Sequence, residues 1–259
     1  MKASILIANY NNDKFIIECI NSLINQTYKN IEIIFFDDKS TDASVEIVKK
    51  FKNVKLIINK EDKKSFGCYN QINSYKKALG ESTGDIIFFL DSDDYFKTNK
   101  VEEVINEFKL DPNCKIIFDL PTFKFKRSEI IKKKNFFFYK TYWPFIPPQS
   151  CITISKKHAE QIIELIDFDI FPKIWMDFRV GIVSKYIFNQ FKILKKSYTY
   201  YRQSDHSISS RYKFLSKNWW IRRMEAHDFI IYFFKKNNIK YKKNLDYNIT
   251  KLINKIYEI

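Results

Sequence analysis

The stretch Gly84-Asp85-Ile86-Ile87-Phe88-Phe89-Leu90-Asp91-Ser92-Asp93-Asp94-Tyr95 decides how this chain folds. Ile86 to Leu90 is an unbroken apolar run, the pattern of a strand buried on both faces and therefore of a parallel sheet. It empties into three carboxylates within four positions. Like charges so close repel one another, and they become favourable together around a hard divalent cation, which prefers oxygen ligands. Open α/β sheets place ligands at the carboxyl ends of their strands, where this turn falls. The plainer alternative makes Asp93 and Asp94 solvated turn residues ahead of a helix beginning near Asn99.

The residues before this stretch repeat its logic. Ser4 to Ala8 reads as a strand ending in the polar cluster Asn9-Tyr10-Asn11-Asn12-Asp13, and Ile16, Cys19, Ile20 and Leu23 then recur at helical spacing. Ile31 to Phe36 is a second strand running into Asp37-Asp38-Lys39-Ser40-Thr41-Asp42, followed by a helix with Ala43, Ile47, Val48 and Phe51 on one face. A third strand (Val54 to Ile58), a Lys-rich polar loop (Asn59 to Ser65) and a helix (Tyr69 to Leu79) complete the approach. This alternation predicts a parallel sheet with right-handed crossovers, so Asn9 to Asn11, Asp38 and Asp93 should share one rim.

After the acidic turn, Asn99 with Glu102 reads as a capping pair for a helix to about Phe108, and Lys115 to Asp119 as a fifth strand. Residues 121–149 mix basic clusters with aromatics, and Pro144, Pro147 and Pro148 exclude a helix, which leaves an irregular segment or a β-hairpin. Ser155 caps an expected helix, Phe171 to Arg179 opens another, and Ile193–Leu194 and Tyr198–Tyr201 look like separate extended pieces. Arg202 to Arg211 reads as a loop, with helices from Phe214 to about Lys235 and from Leu245 to Glu258 beyond it.

With 259 residues the chain has room for one large α/β domain with an appendage. No run of eighteen apolar residues spans a bilayer, the N-terminus lacks a signal-peptide layout, and four dispersed cysteines read as reduced thiols, so a cytoplasmic location is expected. Charge is divided unevenly. Residues 1–110 carry 16 basic and 17 acidic side chains, whereas residues 111–259 carry 29 and 13, including all six arginines. The second half therefore calls for an anionic partner: nucleic acid, an anionic membrane leaflet or a phosphorylated substrate.

Asn9-Tyr10-Asn11, the Asp37 to Asp42 turn and Leu90-Asp91-Ser92-Asp93-Asp94, with Trp175-Met176-Asp177 and Tyr201-Arg202-Gln203 through His206 to Ser209 further on, resemble the inverting glycosyltransferases of the GT-A fold, family 2. The resemblance covers about residues 3 to 211 and implies a Rossmann-like, mostly parallel central sheet flanked by helices, here with a basic helical C-terminal extension. It divides the chain into a glycosyltransferase domain at 1–211 (a nucleotide-sugar half at 1–110 and an acceptor half at 111–211) and a basic region at 212–259. Two departures stand out. Lys39 occupies a position commonly Gly in the family, and Cys68-Tyr69-Asn70 stands where Ala-Arg-Asn is usual. The Gln-x-x-Arg-Trp motif of processive synthases is absent, so transfer of one sugar is implied.

What the resemblance implies for the site is specific. Asp93 holds Mn²⁺ or Mg²⁺, with His206 completing the metal site or contacting the diphosphate. Asp91 and Ser92 lie against the nucleotide sugar, and Asp38 takes the base and ribose (uracil favoured) beside Asn9, Tyr10 and Asn11. Arg202 and Lys76 are candidates for the phosphates, and Asp177 is the general base. Trp143, Gln149, Ser150 and Trp175 are expected to shape an acceptor pocket for a glycan or lipid-linked glycan. Plain alternatives stand beside these: Asp38 as a helix cap, Asp177 as an acid favoured by a helix N-terminus, and His206 as a solvated loop residue. Two rival functions are weaker. A nucleic-acid binder leaves three acidic turns unexplained, so no nucleic-acid partner is expected, and a sugar nucleotidyltransferase usually needs a Gly-rich phosphate loop, whereas no glycine precedes Gly67. The tryptophan-bearing basic end points to peripheral docking on an anionic membrane, on its cytoplasmic face.

Overall fold

The computed structural model describes residues 1–125, 129–131, 142–143, 147–166, 168–203 and 212–257. Its centre is a parallel unit of β1 (Ala3–Asn9), β2 (Ile31–Asp37), β3 (Val54–Ile58) and β4 (Ile86–Asp91), ordered β3-β2-β1-β4. Burial on both faces is literal. Ile86, Phe88 and Leu90 enter one core layer with α1 (Asp13–Ile24) and α4 (Lys100–Leu110), while Ile87 and Phe89 enter the other with α3 (Gly67–Gly80). The register pairs Asn9 with Asp37 and Ala8 with Asp91, so the polar strand ends lie side by side at one rim. α1 buries Ile16, Cys19, Ile20 and Leu23, the face its spacing predicts.

Beyond β4 the sheet becomes mixed. It continues through β8 (Ile152–Ser155), β6 (Ile116–Lys124), β9 (Lys192–Arg202) and β5 (Tyr95–Phe96), with β7 (Glu129–Ile131) pairing with β6 as a hairpin. β8 runs antiparallel to both β4 and β6. The sequence reading has no strand there, because four residues leading into a helix carry too little periodicity to announce one. β9 is one strand rather than two pieces; its register against β6 shifts around Leu120 and Pro121, an irregularity suited to a residue that lacks an N–H. The Asn99–Glu102 capping pair does not form. Asn99 stands at the N-cap position without a side-chain cap, and Glu102 instead accepts from the Thr27 hydroxyl at 2.7 Å.

Two short helices, α2 (Ser44–Val48) and α5 (Lys156–Leu165), flank the sheet, and α6 (Met176–Val183) begins later than Phe171. The delay has a cause: the wholly buried Arg179 guanidinium donates to the carbonyls of Ile166, Phe171 and Ile174, fixing 171–175 as a loop. α7 (Lys217–Lys236) packs Ala226, Phe229, Ile230, Phe233 and Phe234 into the same core as α3 and α6, and α8 (Leu245–Ile256) lies against it. The four cysteines are buried free thiols.

One buried ion pair ties these parts together. Lys100 Nζ, fully buried, lies 2.9 Å from Asp119 Oδ1 and donates to the Ser150 carbonyl (2.7 Å) and the Thr199 hydroxyl (2.6 Å). Asp119 Oδ2 accepts from the Thr199 hydroxyl at 2.8 Å and the Tyr198 amide at 3.1 Å. Such a pair contributes little net stability, but removing one partner strands the other charge in the core. Lys100→Met is therefore expected to lower unfolding free energy by about 3–5 kcal/mol in urea titrations, and Lys100→Met with Asp119→Leu to recover part of that loss.

Candidate active site

The rim is built turn by turn. Asn9 Nδ2 donates to Asp37 Oδ1 (2.8 Å) and to Ser40 Oγ (3.1 Å), and the Ser40 amide donates to Asp37 Oδ2 (2.8 Å). Asp37 is thus wholly buried and spent on the turn. Asp38, its neighbour, accepts from Asn59 Nδ2 at 2.7 Å, and Lys63 Nζ lies 3.5 Å from its other oxygen. The same Lys63 ammonium sits 2.9 Å from the ring centroid of Tyr10, a half-exposed residue. Asp42, not Asp38, serves the helix start, accepting from the amides of Ser44 and Asp13 at 2.9 Å each. Asn11 and Lys39 both have positive φ, 53° and 56°. The left-handed conformation explains why glycine suits position 39, and here lysine adopts it.

Asn11 braces the turn by accepting from the Thr41 amide at 2.8 Å, and Asn12 Nδ2 donates to Ser92 Oγ at 2.9 Å, joining the first loop to the acidic turn. The carboxylates of Asp91, Asp93 and Asp94 each bring an oxygen within 4.8 Å of the others. Asp91 Oδ1 accepts from Gln71 Nε2 (2.8 Å) and the Tyr75 hydroxyl (2.7 Å), one turn apart on α3. Asp94 is buried, with its oxygens taken by the Ser150 hydroxyl (2.5 Å) and the Arg202 amide (2.8 Å). Asp93 is half-buried. An all-oxygen donor set of this spacing fits a hard divalent cation.

Electrostatics reflect the crowding. Burial, then the Asp93 charge, raises Asp91 to about 7, against the pull of its hydrogen bonds from Tyr75 and Gln71. Burial and the charges of Asp93 and Asp91 push Asp94 well above the carboxylate range. Asp93 is raised by burial, while Arg202 draws it back. Asp177, in the first turn of α6, stands close enough to add to the rise at Asp91, and burial lifts Asp177 itself to about 7, with Arg222 opposing. Tyr201 feels all four carboxylates, and burial with their charge keeps its phenol protonated.

Several expected residues take places other than those anticipated. Ser150, expected in the acceptor pocket, is wholly buried beneath the acids, its hydroxyl given to Asp94 and receiving the Asp91 amide at 3.0 Å. Ser92 is likewise buried. Gln149 lies in the 3₁₀ turn beside Ser150, buried, with neither end of its amide hydrogen-bonded. Lys76 is exposed on the outside of α3, 5.6 Å over the Phe168 ring, away from the contacts that converge on Asp91. Arg202 donates to the Asp93 carbonyl (2.8 Å) and to Glu18 (2.5 Å), and lies over Phe15. Trp143 packs against Phe178 and Trp175, with ring centroids 4.8 and 6.4 Å away. His206 and Arg211 lie outside the described residues. The sequence reading missed Gln71, Tyr75, Asn59, Lys63 and Arg222, and named Tyr201 within a motif without giving it a role. Only the first two carried a local signal, an i, i+4 polar pair on an otherwise apolar helix face.

Comparison with known proteins gives one picture. The family model described as Glycosyl transferase family 2 matches residues 4–174. An uncharacterized glycosyltransferase of Nostoc sp. is 27% identical over 228 residues, covering 78% of this chain and 65% of the relative. The Escherichia coli UDP-Glc:alpha-D-GlcNAc-diphosphoundecaprenol beta-1,3-glucosyltransferase WfaP is 35% identical over 128 residues, covering 49% of this chain and 48% of the relative. The crystal structure of Staphylococcus aureus TarS 1-349 in complex with UDP-GlcNAc superposes with a TM-score of 0.65 at 19% identity, covering 98% of this chain and 70% of that one. The fold is therefore GT-A, and the chain spans less than two thirds of the length of these curated relatives.

Raised carboxylate pKa values have a consequence for stability. Between about pH 4, where an unfolded Asp titrates, and pH 7, where Asp91 titrates in place, the folded chain binds more protons than the unfolded one. Without metal, the melting temperature is thus expected to fall as pH rises from 5 to 7.5. Millimolar Mn²⁺ should reverse that fall, and Asp93→Asn should abolish the reversal.

Proposed function

The chain belongs to glycosyl transferase family 2, and from that premise we propose that it moves one sugar from a uridine diphosphate sugar to a hydroxyl of a glycan or lipid-linked glycan, with inversion. The observation that carries this reading is the grouping of Asp91, Asp93 and Asp94 at a strand rim that also bears Asp38, with Asp177 near enough for its charge to raise the Asp91 carboxylate. A proton acceptor and an all-oxygen cation site side by side suit a reaction in which a hydroxyl loses its proton as a diphosphate leaves. The names of the Escherichia coli relative and of the TarS complex support uridine diphosphate sugars as donors, and the former a lipid-linked acceptor.

In this reading residues 1–110 hold the nucleotide sugar and 111–211 the acceptor, with 212–259 as a basic helical region. Asp38, steadied by Asn59 and Lys63, accepts the uracil N–H, and Tyr10 lies beside the base. Asn9, Asn11 and Ser92 hold the turns in place rather than reach far into the cleft. Asp93 is the principal holder of Mn²⁺ or Mg²⁺, with Asp91 and Asp94 in reach of the same point; when bound, the ion supplies Lewis-acid neutralisation of the leaving diphosphate. Gln149, whose amide lacks partners among the described residues, is suited to a sugar hydroxyl, and Trp175 to an apolar sugar face. Asp177 takes the acceptor proton. Its pKa near 7 lets it be charged for the attack yet basic enough to accept.

Asp177→Asn is expected to lower kcat by a factor of about 10²–10⁴ while leaving UDP binding within twofold. In the wild type, kcat should fall about tenfold per pH unit below 7, because protonation removes the base. Unchanged turnover in Asp177→Asn, followed as UDP release from a panel of UDP sugars, would refute the assignment.

We also place the protein on an anionic membrane surface. No helix among the described residues is long and apolar enough to cross a bilayer. α8, however, turns Leu245, Ile249, Leu252 and Ile256 outward, 69%, 43%, 60% and 69% exposed, opposite the face that buries Tyr247, Thr250 and Asn254. The exposed residues Lys242, Lys243, Lys251 and Lys255 flank that stripe. An apolar stripe edged by lysines matches a helix lying in a headgroup region. Sedimentation with liposomes containing phosphatidylglycerol should retain the protein at low salt, with loss at high salt, in Leu252→Glu, and with neutral liposomes. Equal binding to both vesicle types counts against this placement.

A further inference from the structure

Arg222, whose charge opposes the rise at Asp177, carries a donor fork that the reading above leaves unused. It belongs to α7, from the basic end of the chain, yet its guanidinium carbon lies 4.0 Å from the Trp175 ring and 4.2 Å from the Tyr212 ring, held between two aromatic faces. Among the described residues its Nη2 reaches only the Cys68 sulfur, at 3.8 Å, a weak acceptor, and its buried Nε has no hydrogen-bond partner. Leaving that one buried N–H without an acceptor is costly, and the guanidinium carries its remaining donors in a rigid fork. Their match is a planar or tetrahedral oxyanion.

The surroundings fit that occupant. A cavity of about 260 Å³ opens beside Arg222, lined also by Lys173, Tyr212, Asn218, Ile221 and Glu225. Lys173 pairs with Glu225 at 3.0 Å, so its ammonium is already steered to this wall. Cys68, the residue Arg222 touches, begins the α3 face that continues through Gln71 and Tyr75 to Asp91, and Trp175, which it covers, is two residues before Asp177. Arg202 serves the Asp93 side of the cleft. Arg222 stands on the Asp177 side, where its charge opposes the rise of that carboxylate, and in the proposed reaction this is the side of the incoming hydroxyl.

Resting on the proposed transfer reaction, we infer that Arg222 binds a phosphoryl group of the acceptor next to Asp177, with Lys173 and Asn218 lining the entrance. The acceptor is accordingly a phosphate- or diphosphate-bearing glycan, and α7 is part of the acceptor site rather than an appendage to it. Nothing is transferred to or from Arg222. It is a positioning and specificity residue.

Calorimetry on the full chain separates the sources of phosphate. UDP with Mn²⁺ is titrated first, into the wild type, Arg222→Gln and Arg222→Lys, and should bind all three within twofold. Inorganic phosphate is then titrated with the donor site saturated by UDP and Mn²⁺, and again without UDP. The wild type should bind phosphate in both cases, Arg222→Gln about tenfold more weakly, and Arg222→Lys, which keeps the charge but not the fork, in between. Lys173→Gln should weaken it less. Phosphate displaced by UDP, phosphate binding indifferent to residue 222, no phosphate binding by the wild type, or a loss of UDP affinity in the variants would each overturn the inference. A wild type that binds phosphate but not UDP would refute the donor reading alone, and the titration without UDP would still decide the role of Arg222. Melting temperatures check folding, and Arg222→Lys retains the stacked cation should the Gln variant unfold.

Discussion

Four carboxylates, Asp91, Asp93, Asp94 and Asp177, are withdrawn from water near one another, and much of this molecule is arranged around the resulting repulsion. Asp91, Asp93 and Asp94 arrive together because a strand ends there, and Asp177 is brought opposite by a helix that begins five residues later than its apolar pattern suggests. The chain leaves part of the repulsion in place. Asp91 and Asp177 are each held near neutrality in pKa, a condition in which a small change in the surroundings, a cation or an approaching hydroxyl, switches the charge state. A site that is electrostatically uncomfortable when empty is suited to ligands that relieve it.

That tension requires a stiff frame. Lys100, Asp119, Ser150 and Thr199 supply it from four separate segments, joined through hydrogen bonds of 2.6–2.9 Å around the Lys100 ammonium and the Asp119 carboxylate. Ser150 links this frame to the site, since its carbonyl accepts from Lys100 while its hydroxyl binds Asp94 and receives the Asp91 amide. The carboxylates therefore sit on a buried polar network whose members constrain one another. Arg179 plays a comparable part for Asp177, fixing the loop before α6 through three carbonyls.

The uneven charge of the chain also finds a structural place. The first half furnishes Asp91, Asp93, Asp94 and the four-stranded parallel unit, and the second half adds Asp177 and returns cations close to these acids: Arg202 from β9 to the Asp93 carbonyl, and Arg222 from α7 beside Trp175. Lys251 and Lys255 of α8, with Lys242 and Lys243 ahead of it, lie on the surface around an apolar stripe that the core does not use. One basic half thus serves two purposes at different depths, charge balance inside and a cationic face outside.

The sequence by itself determined the β-α-β alternation, the four parallel strands and the common rim of Asn9, Asp38 and Asp93, because apolar runs and polar turns are local signals and a wound sheet leaves those turns one edge to occupy. It also singled out Asp91 and Asp93 by residue type and spacing, and Asp177 through the resemblance to the family. Only the tertiary structure decided that Asp37 is spent on the turn while Asp38 faces Lys63, that β8 enters antiparallel and sets Ser150 beneath the acids, and that Tyr201 and Arg222 come to stand beside them. The physical reason is distance along the chain. Each of these placements is a pairing between remote segments, chosen by packing and hydrogen-bond satisfaction in the folded core, and no window of sequence around either partner contains it.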